Sequence, residues 1–279
     1  MRIMITGAEG QLGRELMRAL RGEVCGATHR QMDVADAGAV FTRIADFRPE
    51  VVIHTAAYTD TTGCEANPDL AYTVNALGTR NVCLACRQVG AAILYISTNE
   101  VFDGAKASPY LEFDEPNPLN FYAKSKLAGE RYVQTLMDRF WIVRAAWLYA
   151  RGGNNFIAKI VRAAREKGNL SVVTDEVATP TWARDLALAL SQLVQHPLYG
   201  TYHFTNAGHC SRFEWAEKTL ELLDMKGIII KPTTLGDYGS PYVKPQFSAL
   251  RNFVGQSLGI VLRPWDEALK DYLGTEGLE

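Results

Sequence analysis

Hydrophobic and polar positions alternate in short blocks along the first half of the chain. Runs of apolar or β-branched residues predict strands at residues 2–6, 23–28, 51–54, 92–97 and 141–146. The segments between them carry apolar residues at helical spacing, as at Leu12, Leu16 and Leu20, and a longer helix is predicted over residues 71–89. Short strands that alternate with longer amphipathic helices are typical of βαβ units around a parallel sheet.

The alternation weakens after about residue 150. There the pattern predicts a helix at 156–167, a strand at 170–173, a helix at 182–195 and a last helix at 213–223. Loops are predicted at 102–120, which is rich in Pro, Asp, Asn and Gly, and at 175–180, 209–212 and 235–245. The loops at 175–180, 209–212 and 235–245 can close over a ligand-binding site. We expect two units, residues 1–150 and residues 151–279, whose elements can interleave.

Composition and charge narrow the class of protein. With 47% hydrophobic and 22% charged side chains among 279 residues, the chain is an ordinary globular protein. The net charge of -2 argues against wide contact with nucleic acid. No apolar run approaches the roughly 18 to 20 residues that span a bilayer, and the first residues leave no room for a signal peptide. We expect a cytoplasmic protein without membrane or nucleic-acid partners, with its five cysteines reduced.

Three glycines stand where the first predicted strand passes into the first helix. Gly7, Gly10 and Gly13 form a G-x-x-G-x-x-G run. Glycines at this position let the backbone approach a pyrophosphate, and the helix N-terminus supplies N–H donors and a partial positive charge. The run therefore predicts a dinucleotide site, with a plain tight turn as the alternative.

The end of the second predicted strand bears on the choice of cofactor. An acidic side chain there would bind the ribose 2′-hydroxyl of NAD, but the sequence has Thr28 and Arg30. Because Arg30 can instead meet a 2′-phosphate, NADP is favoured over NAD. Asp33 and Val34 follow, where they can edge the adenine pocket, although Asp33 can equally be an ordinary loop or N-cap residue.

A tyrosine and a lysine four residues apart, Tyr122 and Lys126, share one face of a predicted helix. A lysine ammonium in that position is expected to lower the tyrosine pKa towards working pH and so make a usable proton donor. Thr98 directly follows the strand predicted at 92–97, where its hydroxyl can bond a substrate carbonyl at the ligand-binding edge of an open sheet. By contrast, Cys83 and Cys86 lie in mid-helix and the histidines are scattered, so no metal site is expected.

The glycine turn, the hydroxyl and the Tyr–Lys pair occur in the order found in extended short-chain dehydrogenases/reductases. Within that superfamily, the chain resembles the dTDP-4-dehydrorhamnose reductase family. The stretches that carry this resemblance are 56–59, 74–76, 97–104, 117–122, 144–149 and 244–250. It implies a doubly wound Rossmann-type α/β sheet with a smaller α/β substrate-binding domain. It also implies NAD(P)H-dependent reduction of the 4-keto group of dTDP-4-dehydro-L-rhamnose to dTDP-L-rhamnose, or of a closely related nucleotide-linked keto sugar.

The resemblance also assigns residues by position. It implies that Gln11 and Leu12 contact the pyrophosphate, that Asp33 and Val34 contact the adenine, and that Ala56, Ala57, Tyr58 and Asn75 belong to the cofactor site. It implies that Tyr122 protonates the alkoxide, that Lys126 holds the nicotinamide ribose, that Thr98 binds the carbonyl oxygen, and that Trp147 packs against the sugar. Glu15 matches a position associated with magnesium at a dimer contact, although a glutamate on a first helix is ordinarily solvated. The protein is expected to be a monomer or homodimer.

The chain departs from the family pattern beside the expected sugar site. Asn99 and Glu100 replace the usual Asp-Tyr after the threonine, with Asn99 a candidate substrate contact, and Thr61 and Thr62 replace Val-Asp. These changes leave the identity of the sugar open. Two alternative functions remain: a nucleotide-sugar epimerase or dehydratase, and a regulatory subunit that binds the cofactor without turnover.

Overall fold

The structure is a computed structural model that describes residues 1–153 and 155–276. Its strands are β1 (Arg2–Thr6), β2 (Glu23–Ala27), β3 (Val51–His54), β4 (Ala92–Thr98), β5 (Phe140–Ala145), β6 (Leu148–Tyr149), β7 (Asn169–Val173), β8 (Val177–Ala178), β9 (Thr181–Trp182), β10 (Gly200–His203), β11 (Cys210–Ser211) and β12 (Ile229–Thr233). Its α-helices are α1 (Gln11–Ala19), α2 (Ala37–Phe47), α3 (Thr61–Ala66), α4 (Pro68–Tyr72), α5 (Gly78–Val89), α6 (Phe121–Leu136), α7 (Phe156–Lys167), α8 (Ala183–Leu193), α9 (Arg212–Leu222), α10 (Leu235–Tyr238), α11 (Val254–Ser257) and α12 (Trp265–Glu276).

The centre of the molecule is a six-stranded parallel sheet in the order β10-β5-β4-β3-β1-β2. Its inner strands are apolar on both faces because helices cover both sides. One hydrophobic cluster joins the sheet to α1 and α8, and a second joins the opposite face to α2, α5 and α6. This is the doubly wound arrangement that the sequence predicts.

The remaining elements form small paired strands and helices beyond the carboxyl edge of the large sheet. β7 pairs with β12, β6 with β9, and β8 with β11. α7 and α9 pack on this part through an aromatic cluster in which Trp215 stacks with Trp147 and Phe156. β10 lies within the large sheet although it comes late in the chain. A division of the chain into two units near residue 150 stays a prediction.

Some predicted elements differ from the structure. The predicted helix over residues 71–89 consists of α4, a π-helical turn at Thr73–Leu77, and α5. The prediction of a last helix at 213–223 was wrong, since α10, α11 and α12 follow α9. The predicted loops at 175–180 and 209–212 contain β8 and β11, which pair with each other. Within the described ranges, no helix is both long and apolar enough to cross a membrane.

Candidate active site

The glycine run forms a tight turn between β1 and α1. Gly7 has φ +68°, a conformation that L side chains rarely adopt, and its carbonyl accepts a hydrogen bond from Gly10 N–H at 2.9 Å. A Cβ on Gly13 would overlap that same carbonyl, so the turn closes only with glycine there. α1 begins at this turn without a side-chain cap and without an acidic residue in its first turn. Its N-terminal amides are therefore available to an anionic group such as a diphosphate, and the turn fits a dinucleotide.

A cavity of about 1030 Å³ runs from this turn to the C-terminal elements. The predicted site residues that line it are Gly10, Gln11, Leu12, Gly13, Ala57, Thr98, Asn99, Tyr122, Lys126 and Trp147. The structure therefore brings the predicted catalytic residues and one part of the predicted cofactor site together in one space.

Other predicted cofactor residues lie outside that lining. They are Gly7, Thr28, Arg30, Asp33, Val34, Ala56, Tyr58 and Asn75. Gly7 and Ala56 lie against each other beneath the turn, and Arg30 is exposed after β2. Val34 is buried against α5. Asn75 is buried in the π-helical turn, where its side chain bonds the backbone of Tyr58 and the hydroxyl of Ser125. Asn75 thus ties the segment after β3 to α6.

The carboxyl end of β4 and the start of α6 hold the reactive side chains. Thr98 ends β4, and its hydroxyl lies near enough to the phenol of Tyr122, in the first turn of α6, to lower the pKa of that phenol. Asn120 caps that helix by accepting from Ala123 N–H at 2.9 Å. One turn further on, Lys126 Nζ donates to the carbonyl of Ile96 at 2.7 Å. Two adjacent elements therefore fix a hydroxyl, a phenol and an amine at one place.

Burial sets the protonation of these groups. It raises the pKa of Tyr122, and the nearby charge of Glu100 raises it further, while the hydrogen bond from Thr98 acts in the opposite direction. The expected lowering of the Tyr122 pKa by Lys126 was wrong for this structure. Burial instead lowers the pKa of Lys126 to about 7, against the charge of Glu130, which raises it. Tyr122 is therefore protonated at neutral pH, as a proton donor must be.

A second group of side chains closes the far end of the cavity. Glu176 accepts from Arg212 Nη2 at 2.9 Å and from Lys244 Nζ at 3.1 Å, and these two cations lower its pKa against the effect of burial. The Arg212 guanidinium lies 3.6 Å from the ring centroid of Trp147. Trp147 has φ +40°, a strained backbone that is often found at functional sites.

Sequence reasoning missed Glu176 and Arg212 as site residues. The sequence did carry a signal for them. Glu176, Arg212 and Lys244 each lie in one of the three predicted loops, 175–180, 209–212 and 235–245, that were expected to close over a site. Asn99 lines the cavity, but its Nδ2 donates to Ser248 Oγ at 2.7 Å. Its amide therefore ties the strand end to the C-terminal segment.

The expected magnesium position has a local partner. The Glu15 carboxylate accepts a hydrogen bond from Arg18 Nη1 at 2.5 Å. Glu15 is only 5% exposed, so the expectation that a first-helix glutamate is solvated was wrong here. Among the described residues, no cluster of three or more His, Cys, Asp or Glu side chains could hold a metal ion. Cys83 and Cys86 are buried in α5, among the apolar residues of its core.

The glycine turn, the doubly wound sheet and the Thr98–Tyr122–Lys126 set define an NAD(P)-dependent oxidoreductase of the extended short-chain type. Residues 1–277 match the family model described as RmlD substrate binding domain. The dTDP-4-dehydrorhamnose reductase of Streptomyces griseus is 40% identical over 280 residues, which cover 97% of this chain and 92% of that protein. The chain therefore belongs to the dTDP-4-dehydrorhamnose reductase family.

Solved structures agree with this assignment. A crystal structure of a dTDP-4-dehydrorhamnose reductase from Clostridium acetobutylicum matches with a TM-score of 0.95 and 40% identity, over 98% of this chain and 99% of that one. The enzyme of Bacillus anthracis, in complex with NADP, matches with a TM-score of 0.94 and 37% identity, over 98% of both chains.

Proposed function

We propose that the protein reduces the 4-keto group of dTDP-4-dehydro-L-rhamnose to give dTDP-L-rhamnose, with NADPH as the preferred reductant. The observation that carries this proposal is the meeting of Thr98, Tyr122 and Lys126 with the glycine turn in one cavity. The names of the relatives support the substrate, and the NADP in the Bacillus anthracis structure supports the cofactor. When bound, the reduced nicotinamide supplies the hydride.

The turn and Lys126 hold the cofactor in this proposal. The first amides of α1 receive the diphosphate, and the Gly7–Gly13 contact keeps the backbone close enough for that approach. Lys126 lies one helical turn from Tyr122, where its ammonium can hold a ribose hydroxyl and stabilise a phenolate.

Thr98 and Tyr122 act on the ketone. Their two hydroxyls lie near each other in the cavity, so a carbonyl oxygen placed between them receives hydrogen bonds from both. As the hydride arrives, negative charge develops on that oxygen, and Tyr122 donates its proton there. The raised pKa of Tyr122 keeps the phenol protonated until this step. We propose that the elements after residue 150 hold the sugar nucleotide, with Trp147 and Arg212 against the sugar.

The test measures NADPH and NADH oxidation with dTDP-4-dehydrorhamnose in wild type and in Tyr122→Phe. Loss of the phenolic proton donor is expected to lower the rate by about 10²- to 10⁴-fold. Tyr132→Phe, on the same helix but outside the cavity lining, is the matched control and is expected to keep full activity. Absence of turnover by wild type with either cofactor would contradict the proposed substrate. Unchanged turnover by Tyr122→Phe would contradict the proposed proton donor.

A further inference from the structure

Glu100 is an acidic side chain in the reaction cavity that carbonyl reduction does not use. It follows Thr98 by two residues, and its backbone N–H donates to Thr98 Oγ1 at 3.2 Å. It lines the same space as Tyr122 and Lys126. Reduction needs one proton donor at the carbonyl oxygen, and Tyr122 already fills that role.

One oxygen of the Glu100 carboxyl is fixed and the other is open. Asn120 Nδ2 donates to Oε2 at 2.9 Å and also to the carbonyl of Val243 at 3.1 Å. Because Asn120 is the N-cap of α6, this bond holds the carboxyl beside the helix turn that carries Tyr122. No residue within the described ranges donates a hydrogen bond to Oε1. Because Glu100 lines the cavity, its carboxyl has one oxygen available to a molecule bound there.

The surroundings of Glu100 raise its pKa, and burial is the main cause. Burial and the neighbouring Glu176 raise the pKa of Glu100, while Asn120, Lys244 and Arg212 lower it. A carboxylate with a raised pKa is a stronger base than an exposed glutamate. Its charge is also felt by the phenol of Tyr122, so the base and the acid act in the same small space.

We propose that Glu100 takes a proton from the carbon next to the ketone of the bound keto sugar, so that the protein also exchanges this hydrogen with solvent. The inference rests on the proposed function, because it requires the ketone to lie at Thr98 and Tyr122. A carboxylate base together with hydrogen-bond donors at the carbonyl oxygen is a pair that supports enol formation.

The step balances without an oxidant or a reductant. The C–H bond breaks, its proton goes to Glu100 Oε1, and its electron pair forms the C=C bond of the enol. The π pair of the carbonyl moves to the oxygen, which takes the proton of Tyr122. In D₂O, the proton on Glu100 exchanges with a solvent deuteron while the enol is present. Reversal of the transfers then restores the ketone, with that deuteron bonded to the carbon.

The test incubates dTDP-4-dehydrorhamnose with the protein and NADP⁺ in D₂O, so that no hydride donor is present. Mass spectrometry and ¹H NMR follow the uptake of deuterium next to the ketone. Wild type is expected to raise the exchange rate about a hundredfold over buffer, and Glu100→Gln to lose that increase. Glu100→Asp, which keeps a shorter carboxylate, is expected to retain part of it. Glu115→Gln removes an exposed carboxylate outside the cavity lining and is expected to exchange like wild type.

Reduction by NADPH is measured on the same preparations, and it reports both folding and substrate binding. Glu100→Gln is expected to lose far more exchange than reduction. If wild type reduces the sugar but exchanges no faster than buffer, or if Glu100→Gln exchanges like wild type, the inference is wrong and the proposed reductase stands. If wild type neither reduces nor exchanges, both the proposed function and this inference are overturned.

Discussion

One buried neighbour on its own helix, Glu130, opposes the effect of burial on the pKa of Lys126. Glu130 lies one turn further along α6, where it accepts from Arg144 Nη2 at 2.7 Å and from Ser97 Oγ at 2.5 Å. Glu130 and Arg144 are both nearly fully buried, so water screens their charges little. Lys126 faces Glu130, the ring of Tyr95 at 4.1 Å, and the buried His54. Among these groups, only the Glu130 carboxylate favours the ammonium by its charge.

Replacing Glu130 with Gln is therefore expected to lower the pKa of Lys126 from its value of about 7. A larger fraction of Lys126 is then neutral at pH 7, and the alkaline limb of the kcat/KM profile moves to lower pH. The change also leaves Arg144 buried without its partner and is expected to cost about 3–5 kcal/mol of stability. Kinetics across pH and urea unfolding measure the two effects.

Arg144→Lys is the matched control for that prediction. It keeps a cation beside Glu130 but loses the two-bond geometry, so it is expected to lower stability and leave the pH profile in place. A similar shift of the alkaline limb in both variants would show that packing, and not the charge of Glu130, sets the profile.

At the scale of elements, the β1–α1 turn depends on the missing side chain of Gly13. An alanine there would press on the carbonyl of Gly7 and lie about 2.7 Å from Ala8 Cα, so the turn must open. Gly13→Ala is expected to weaken NADPH binding at least about tenfold, because the amides of α1 lose their position. Fluorescence titration with NADPH measures this.

Gly274→Ala is the control, since a Cβ there meets nothing within 4 Å in the described structure and the residue lies inside α12. It is expected to stabilise the protein by about 0.5–1 kcal/mol and to leave NADPH affinity unchanged. Equal affinity in wild type and Gly13→Ala would show that the turn tolerates a side chain.

Strongly patterned elements could be predicted from the sequence. The five predicted strands lie within one residue of β1 to β5 at each end. The π-helical turn could not be predicted, because it depends on tertiary contacts, with Asn75 bonded to Tyr58 and Ser125. α12 did carry a signal, since Trp265, Ala268, Leu269 and Tyr272 follow helical spacing. β10 has four residues and no distinctive pattern, and it is a strand because β5 offers a parallel edge.

On the scale of the whole molecule, the two ends of the cavity differ in how far they could be predicted. The cofactor end is built from local motifs, where a strand, a turn and a helix are consecutive in sequence. The far end joins Glu176, Arg212 and Lys244, which lie far apart along the chain, and only the fold shows that they pair. Arg212, a proposed sugar contact, is of this second kind, so the sequence motifs predict the reaction more fully than they predict the substrate.

Two fully buried histidines are expected to make the stability of the whole molecule sensitive to acid. His54 lies between the hydroxyls of Thr6 and Thr79, and His203 lies against Arg144 and the carbonyl of Tyr110. Burial lowers the pKa of each histidine from 6.5 to about 3, with a further lowering by Lys126 at His54 and by Arg144 at His203. The unfolded chain therefore takes up protons near pH 6.5 that the folded protein does not.

Burial lowers the pKa of both histidines in the folded protein. The contribution of the neutral histidines to the free energy of unfolding is therefore complete above pH 6.5, and it is lost as the pH falls from 6.5 towards 3. Each histidine is expected to reduce the free energy of unfolding by about 1.4 kcal/mol per pH unit in that window. Urea unfolding between pH 7.5 and 5 measures the slope, which His203→Asn should make shallower. His196→Gln, at an exposed position, controls for the loss of a histidine as such and should keep the wild-type slope. A slope that His203→Asn leaves unchanged would mean that other groups govern the acid response.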